Sequence, residues 1–388
     1  MLVTCGSPVN DPLSTVPGRC QLEAPIIQAV QTDILFVIDN SGSMKEEQAA
    51  VATELPAFIQ ALEAGGGLEQ DFRVAVITTS VYQNAQLPDG GSSFREYAAL
   101  GQAGRLQAVP DGGEGERMLL PGDPQLLEKF GRLIQVGTNG SGQETPFEAV
   151  RRALTLPLSG ESVAEGGTRG FLRDGARLLV AVISDEDDCS ELLEPGQRAQ
   201  VAVGQAGGVD WCHEQREKLT SSQQYFDFLR GLKDSKGGRR EVLWAAIAPV
   251  GQTNKEVGEV LDNGTLRNVD CPTSFQPGRR QKEMAQLFDP TLTNLDSICK
   301  PSFRDSLIAI ADLANSISSM EVMNIPDPAL LVVNITRADG TVVPCTLSNG
   351  GFTFEEATVE RAARVNFQGT CQRLPSDTRV EVKLLCAG

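Results

Sequence analysis

The pentapeptide Asp39-Asn40-Ser41-Gly42-Ser43 sets one carboxylate and two hydroxyls on alternate residues of a short polar turn. Three such oxygens can point at a common centre. Small hard cations favour that chemistry: oxygen ligands, few of them charged, with water completing an octahedron at ~2.1 Å for magnesium. Gly42 between the serines is read as letting the backbone turn. Asp and Ser ahead of a helix are also ordinary N-caps, so the surrounding elements must decide.

Those elements are favourable. The run Asp33-Ile34-Leu35-Phe36-Val37-Ile38 is apolar and bounded by polar residues, the pattern of a buried parallel strand. Residues 45–62 carry Val51, Leu55, Phe58, Ile59 and Leu62 at helical spacing. A loop between such a strand and helix lies at the carboxyl end of a sheet, where doubly wound folds bind ligands. Further strands are expected at 72–78, 177–184 and 242–248. Helices are expected at 124–134, 146–154, 214–232 and 303–318. Residues 82–122 read as a long surface excursion, with at most short strands around Leu106 and Met118. Residues 251–300 read as an irregular stretch bracketing Cys271 and Cys299. This alternation predicts an α/β fold: a doubly wound, mostly parallel sheet with helices on both faces.

After Pro326 the pattern changes to short strands at 330–336, 341–345, 363–367 and 379–385, separated by turn residues such as Asp339-Gly340 and Asn349-Gly350. The expected organisation is a tether at 1–31, an α/β domain with long loop insertions at 32–325, and a small β module at 326–388.

Composition narrows the partners. Asp and Glu number 51 against 34 Lys and Arg, a formal charge of −17. A surface that negative repels phosphate backbones, which excludes nucleic acid as a partner, and it tolerates hard cations. Nine cysteines with no CxxC pair and a single histidine, His213, read as disulfides in an oxidising compartment, not as zinc ligands. The odd count leaves Cys5, and Leu2-Val3-Thr4-Cys5 looks like the tail of a bacterial lipobox, which makes Cys5 the expected lipidation site. No apolar run approaches the ~20 residues that span a bilayer, so membrane attachment is expected through the lipid alone. Locality pairs Cys189 with Cys212, Cys271 with Cys299 and Cys345 with Cys371, leaving Cys20 with Cys386. Cys345 with Cys386 and Cys371 with Cys20 remain the alternative.

The Asp39-x-Ser41-x-Ser43 pattern in this context resembles the metal-ion-dependent adhesion site of von Willebrand factor A domains. The resemblance implies two more ligands, a threonine from a second loop and an aspartate after a later strand. Asp185, in Ser184-Asp185-Glu186-Asp187-Asp188, matches the aspartate, with the other acids mostly around the ligand set without touching the ion, or facing solvent. Thr145 is chosen for the threonine, with Thr138 and Ser141 in the same loop as alternatives. Gly140-Ser141-Gly142-Gln143-Glu144, Gly170-Phe171-Leu172-Arg173, Ser184 to Ser190 and the closing stretch from Val365 to Val382 look like a group of myxobacterial surface lipoproteins with A domains. That resemblance implies adhesion, with gliding-motility focal adhesions as one setting.

The expected function is therefore a metal-dependent adhesin at the outer-membrane surface. It would bind Mg2+ or Ca2+ (or Mn2+) and a protein or substratum ligand that offers an anionic oxygen. A periplasmic or envelope-complex scaffold lipoprotein is the alternative. Enzymatic readings lack an inventory: there is no P-loop, and a hydrolytic triad would depend on His213, beside Cys212 and Trp211 in a polar stretch.

Overall fold

The computed structural model describes residues 19–20, 30–63, 70–110, 116–194, 196–204, 209–260, 266–268, 270–271, 274, 276–316, 319–322, 327–337, 339–357, 363–372, 377 and 379–385. Its centre is a five-stranded parallel sheet. In chain order the core strands are Val30–Ile38, Gln70–Thr78, Arg177–Ile183, Val242–Ala248 and Leu295–Ser297. In space they run fifth, fourth, third, first, second, and every pairing is parallel. The chain winds outward on one side of the first strand and then returns to build the other side. The loops after the first and third strands therefore diverge, which opens a crevice at the carboxyl edge between them.

Successive side chains of a strand face opposite ways, so a strand buried on both faces must be apolar throughout. Ile34, Phe36 and Ile38 enter one core with Val51, Leu55 and Phe58 of the Lys45–Glu63 helix, Phe130 of Leu126–Ile134, and Leu307 and Ile310 of Arg304–Asn315. Leu35 and Val37 enter the other, with Phe147 and Val150 of the Pro146–Ala153 helix, Tyr225 and Leu229 of Ser222–Arg230, and Met284 of Arg279–Phe288. Phe36 meets the rings of Phe58 and Phe130 at 5.5 and 5.3 Å. Truncating such a buried ring to Ala costs about 3–5 kcal/mol.

Three stretches differ from the sequence expectation. The irregular stretch at 251–300 holds the Arg279–Phe288 helix and the fifth core strand. That strand has three residues and a single apolar side chain, Leu295, and the helix takes its N-terminal cap from Asp187, far away in sequence. Neither leaves a local signal. The helix expected at 214–232 is broken into Trp211–Glu214, a 3-10 turn at Arg216–Lys218 and Ser222–Arg230. Ser221 restarts it by accepting a hydrogen bond from the Gln224 N–H at 3.3 Å. In the excursion, the strands form a hairpin of Tyr82–Gln86 with Ser92–Glu96. Leu106 is in no strand, and beside Met118 there is one isolated bridge, Leu119 to Val74.

The carboxyl-terminal module packs two antiparallel sheets around Leu331, Val333, Ile335, Phe352, Val365 and Phe367. Two of its strands come from outside 326–388: Ser319–Val322 pairs with Ala363–Phe367, and Arg19–Cys20 pairs with Arg379–Leu385. The bridges Cys189–Cys212, Cys271–Cys299 and Cys345–Cys371 are formed. Cys20 stands opposite Leu384, while Cys5 and Cys386 lie outside the described residues. Disulfides of this kind belong to an oxidising, extracytoplasmic compartment. Among the described residues no helix is long and apolar enough to cross a membrane.

Candidate functional site

Ile38 lies opposite Ile183 on one side and Thr78 on the other, so Asp39, Ser184 and Thr79 leave the sheet at one level. The ladder continues one step beyond the strands: the Asp39 N–H donates to the Ile183 carbonyl at 3.0 Å, and the Thr79 N–H to the Ile38 carbonyl at 3.2 Å. Asp39 is fully buried. Its Oδ1 accepts from the Ser41 N–H at 2.8 Å and its Oδ2 from the Ser184 hydroxyl at 2.6 Å. Gln48 clamps the turn by donating to the carbonyls of Asp39 and Gly137, at 2.8 and 2.9 Å. The hydroxyls of Ser41 and Ser43 are 2.9 Å apart, and Ser43 donates to Asp185 Oδ1 at 3.1 Å. Asp39, Ser41, Ser43 and Asp185 thus form one hydrogen-bonded chain across the crevice between the first and third strands. Ser43 is its exposed member. Gly42 has no positive φ, and a Cβ there would meet nothing within 4 Å, so the turn does not require glycine.

In the second loop the expected hydroxyl is engaged with the backbone. Thr145 is buried at the N-cap of the Pro146–Ala153 helix, where its hydroxyl donates to the Thr79 carbonyl at 2.8 Å and accepts from the Val81 N–H at 3.2 Å. Ser141 is similarly engaged, donating to the Tyr82 carbonyl at 2.9 Å, and Thr138 is half-buried. The residue left over is Glu144. It is 1% exposed, its Oε2 accepts from the Thr79 hydroxyl, and its Oε1 has no hydrogen-bond partner among the described residues. Its carbonyl accepts from the Cys189 N–H at 2.7 Å, which ties it to the loop carrying Asp185. Gly140 is needed for this approach. Its N–H donates to the Asn40 carbonyl at 2.7 Å, and a Cβ would stand 2.3 Å from Asn40 Oδ1.

The acids after Asp185 are buried, not solvated. Asp187 caps the Arg279–Phe288 helix by accepting from the N–H groups of Arg280 and Gln281 at 2.9 and 3.3 Å. Asp188 accepts from the Phe147 N–H at 3.1 Å and pairs with Arg280 at 2.9 Å. Sequence alone reads such a run as a polar turn, because its partners lie some 40 and 92 residues away.

Burial pushes the carboxyl of Asp39 up, that of Asp185 to about 7, and those of Glu144 and Glu186 well above the usual range. After burial, the leading charge effects on these four groups come from other carboxylates: one another, Glu47 and Asp210. Glu47, in the first turn of the following helix, also has an oxygen buried without a partner. Burying like charges together is costly unless something neutralises them. Among the described residues no three His, Cys, Asp or Glu side chains form a ready-made cage, so the donor set depends on the serine hydroxyls. Carboxylate and hydroxyl oxygens, one of them orphaned, fit a hard divalent cation.

No protein-family model matches the chain, and no curated protein matches it. Among solved structures it is similar to proximal thread matrix protein 1 from the mussel byssus, at 15% identity over 76% of this chain and 50% of that one, with a TM-score of 0.32. It is similar to the pilus adhesin SpaC of Lactobacillus rhamnosus GG, at 11% over 95% and 39%, TM-score 0.35. A von Willebrand factor type A protein from Catenulispora acidiphila matches at 11% over 93% and 59%, TM-score 0.36. The chain spans less than two thirds of the length of each of these proteins.

His213 sits in the one-turn helix that carries Cys212, where its backbone N–H donates to Asp210 at 2.9 Å and burial lowers its pKa. It is not among the hydrogen-bonding partners of the cluster.

Proposed function

We propose that this chain is an extracytoplasmic adhesin whose crevice holds a divalent cation, Mg2+ or Ca2+, between Asp39, Ser41, Ser43 and Asp185. The observation that carries this reading is the hydrogen-bonded chain of those four residues over the topological switch point, among buried carboxylates that face no cationic side chain as a leading influence. The chemistry is binding, not turnover. The two aspartates supply charge, the serines supply neutral oxygens, and the exposed side at Ser43 leaves a coordination position for an oxygen of a partner protein or substratum. The ion would link the partner to the rigid edge of the sheet. In the same reading Cys5 carries the lipid that holds the protein at the outer-membrane surface, where gliding motility is one use of adhesion.

The test is Asp39→Ala with calorimetry and adhesion measured together. We expect Mg2+ and Ca2+ affinity to fall more than about 100-fold and adhesion to be lost, while the circular dichroism spectrum is kept. Undiminished ion affinity in the variant would sink the proposal. Chelator-insensitive capture of a partner by the intact protein would favour a scaffold role instead.

A further inference from the structure

Glu144 has no role in the reading above, and its surroundings give it one. Its backbone is fixed to the third-strand loop through the Cys189 N–H, and its carboxylate is fixed to the second-strand end through the Thr79 hydroxyl. Thr79 is in turn bonded to Ile38, the residue before Asp39. Glu144 therefore links the loop that bears Asp185 to the end of the second strand, beside the first strand and Asp39. Its Oε1 is buried with no partner among the described residues, and Asp39, Glu186 and Asp185 are the leading charges acting on it. A buried carboxylate oxygen left bare among other carboxylates is incomplete without a cation or one of its bound waters.

Resting on the metal-site reading, we infer that Glu144 supplies a third negative charge beside the bound ion, through a water on the ion, so that the site takes a neutral oxygen from its partner and rejects a carboxylate. Two aspartates alone would balance a divalent ion and leave it able to accept an anionic donor, which is the expectation drawn from the sequence. A third carboxylate reverses that balance. The ion then carries less charge than the carboxylates around it, and a carboxylate in the open position meets net repulsion. A hydroxyl, an amide carbonyl or water does not. The partner class is thus a hydroxyl-rich or backbone-carbonyl surface, such as a glycan or an exposed loop, and not an acidic peptide.

The experiment uses the whole chain with Ca2+ and Mn2+ as probes, in wild type, Asp39→Ala, Glu144→Gln and Glu144→Thr. Gln keeps the shape and can still accept from Thr79, and urea unfolding checks that both Glu144 variants fold. Calorimetry should show a loss of binding in Asp39→Ala and a weakening of about tenfold or more in each Glu144 variant. Water-proton relaxation of the Mn2+-loaded protein should not respond to acetate in wild type. In Glu144→Thr it should fall as acetate replaces bound water. Glu144 variants that bind Ca2+ as tightly as wild type, while Asp39→Ala does not, overturn the inference and leave the metal site standing. Acetate displacing water in wild type, or failing to do so in Glu144→Thr, overturns the charge argument. An Asp39→Ala protein that still binds the ion removes the site reading and this inference together.

Discussion

The first core strand carries a buried carboxylate at each end, and the two ends solve the problem differently. At the amino end Asp33 accepts from the Arg173 backbone N–H at 2.7 Å and from its guanidinium at 2.8 Å. Burial still raises its pKa, but every charge acting on it, from Arg173 and Arg73, pulls the other way. At the carboxyl end Asp39 is as buried, and the charge acting on it, from Glu47, pushes its pKa up further. The protein closes the first end with its own cation, whereas the leading charge at the second is another carboxylate. Burial of an acid is therefore not the functional signal. What separates Asp39, Asp185 and Glu144 from Asp33 and Asp188 is that the leading charges acting on them are carboxylates, while Asp33 is paired with Arg173 and Asp188 with Arg280.

The sharpest way to break this contrast is Arg173→Ala, which strands the Asp33 carboxylate in the interior. We expect a loss of about 3–5 kcal/mol in urea unfolding, with ion affinity unchanged. If affinity fell with stability, the two ends would not be independent. Next in size is the Cys189→Ser, Cys212→Ser double variant. Opening this bridge should cost about 3 kcal/mol and weaken the ion site as well, because Cys189 holds the Glu144 carbonyl. Calorimetry that finds full affinity in the reduced loop would show that the bridge supports the fold alone.

The pH dependence of the metal-free protein comes third. Folding raises Asp185 from 3.8 to about 7, so the folded state holds its proton more tightly than the unfolded chain. The stability this confers is complete below the unfolded value and is lost as pH rises toward 7. Metal-free protein should lose stability between pH 4 and about 7, and saturating Ca2+ should flatten that slope, since the ion replaces the proton. An equal slope with and without Ca2+ would argue that the ion does not meet Asp185. The smallest effect is expected from Thr145→Val. Its hydroxyl serves the backbone at 79–81, so we expect about 1 kcal/mol of stability to be lost and ion affinity to stay within about twofold. A tenfold loss would restore Thr145 as a ligand.

The sequence by itself determined the parts whose signal is local. Continuous apolar runs marked four of the five core strands, because a strand covered on both faces has no polar side. The strand–turn–helix context of Asp39, Ser41 and Ser43 located the crevice, and cysteine proximity paired three bridges. The fifth strand, with one apolar residue, and the Arg279–Phe288 helix, capped by Asp187, were decided only when distant segments met. The same holds at the site. Thr145 and Glu144 are adjacent in sequence, and both have side chains able to bind a cation. Only the approach of Thr79 and Val81 commits the Thr145 hydroxyl to the backbone, and only burial beside Asp39 and Asp185 leaves the Glu144 Oε1 bare. A residue's chemistry is written in its type, whereas its availability depends on which partners the fold has already brought to it.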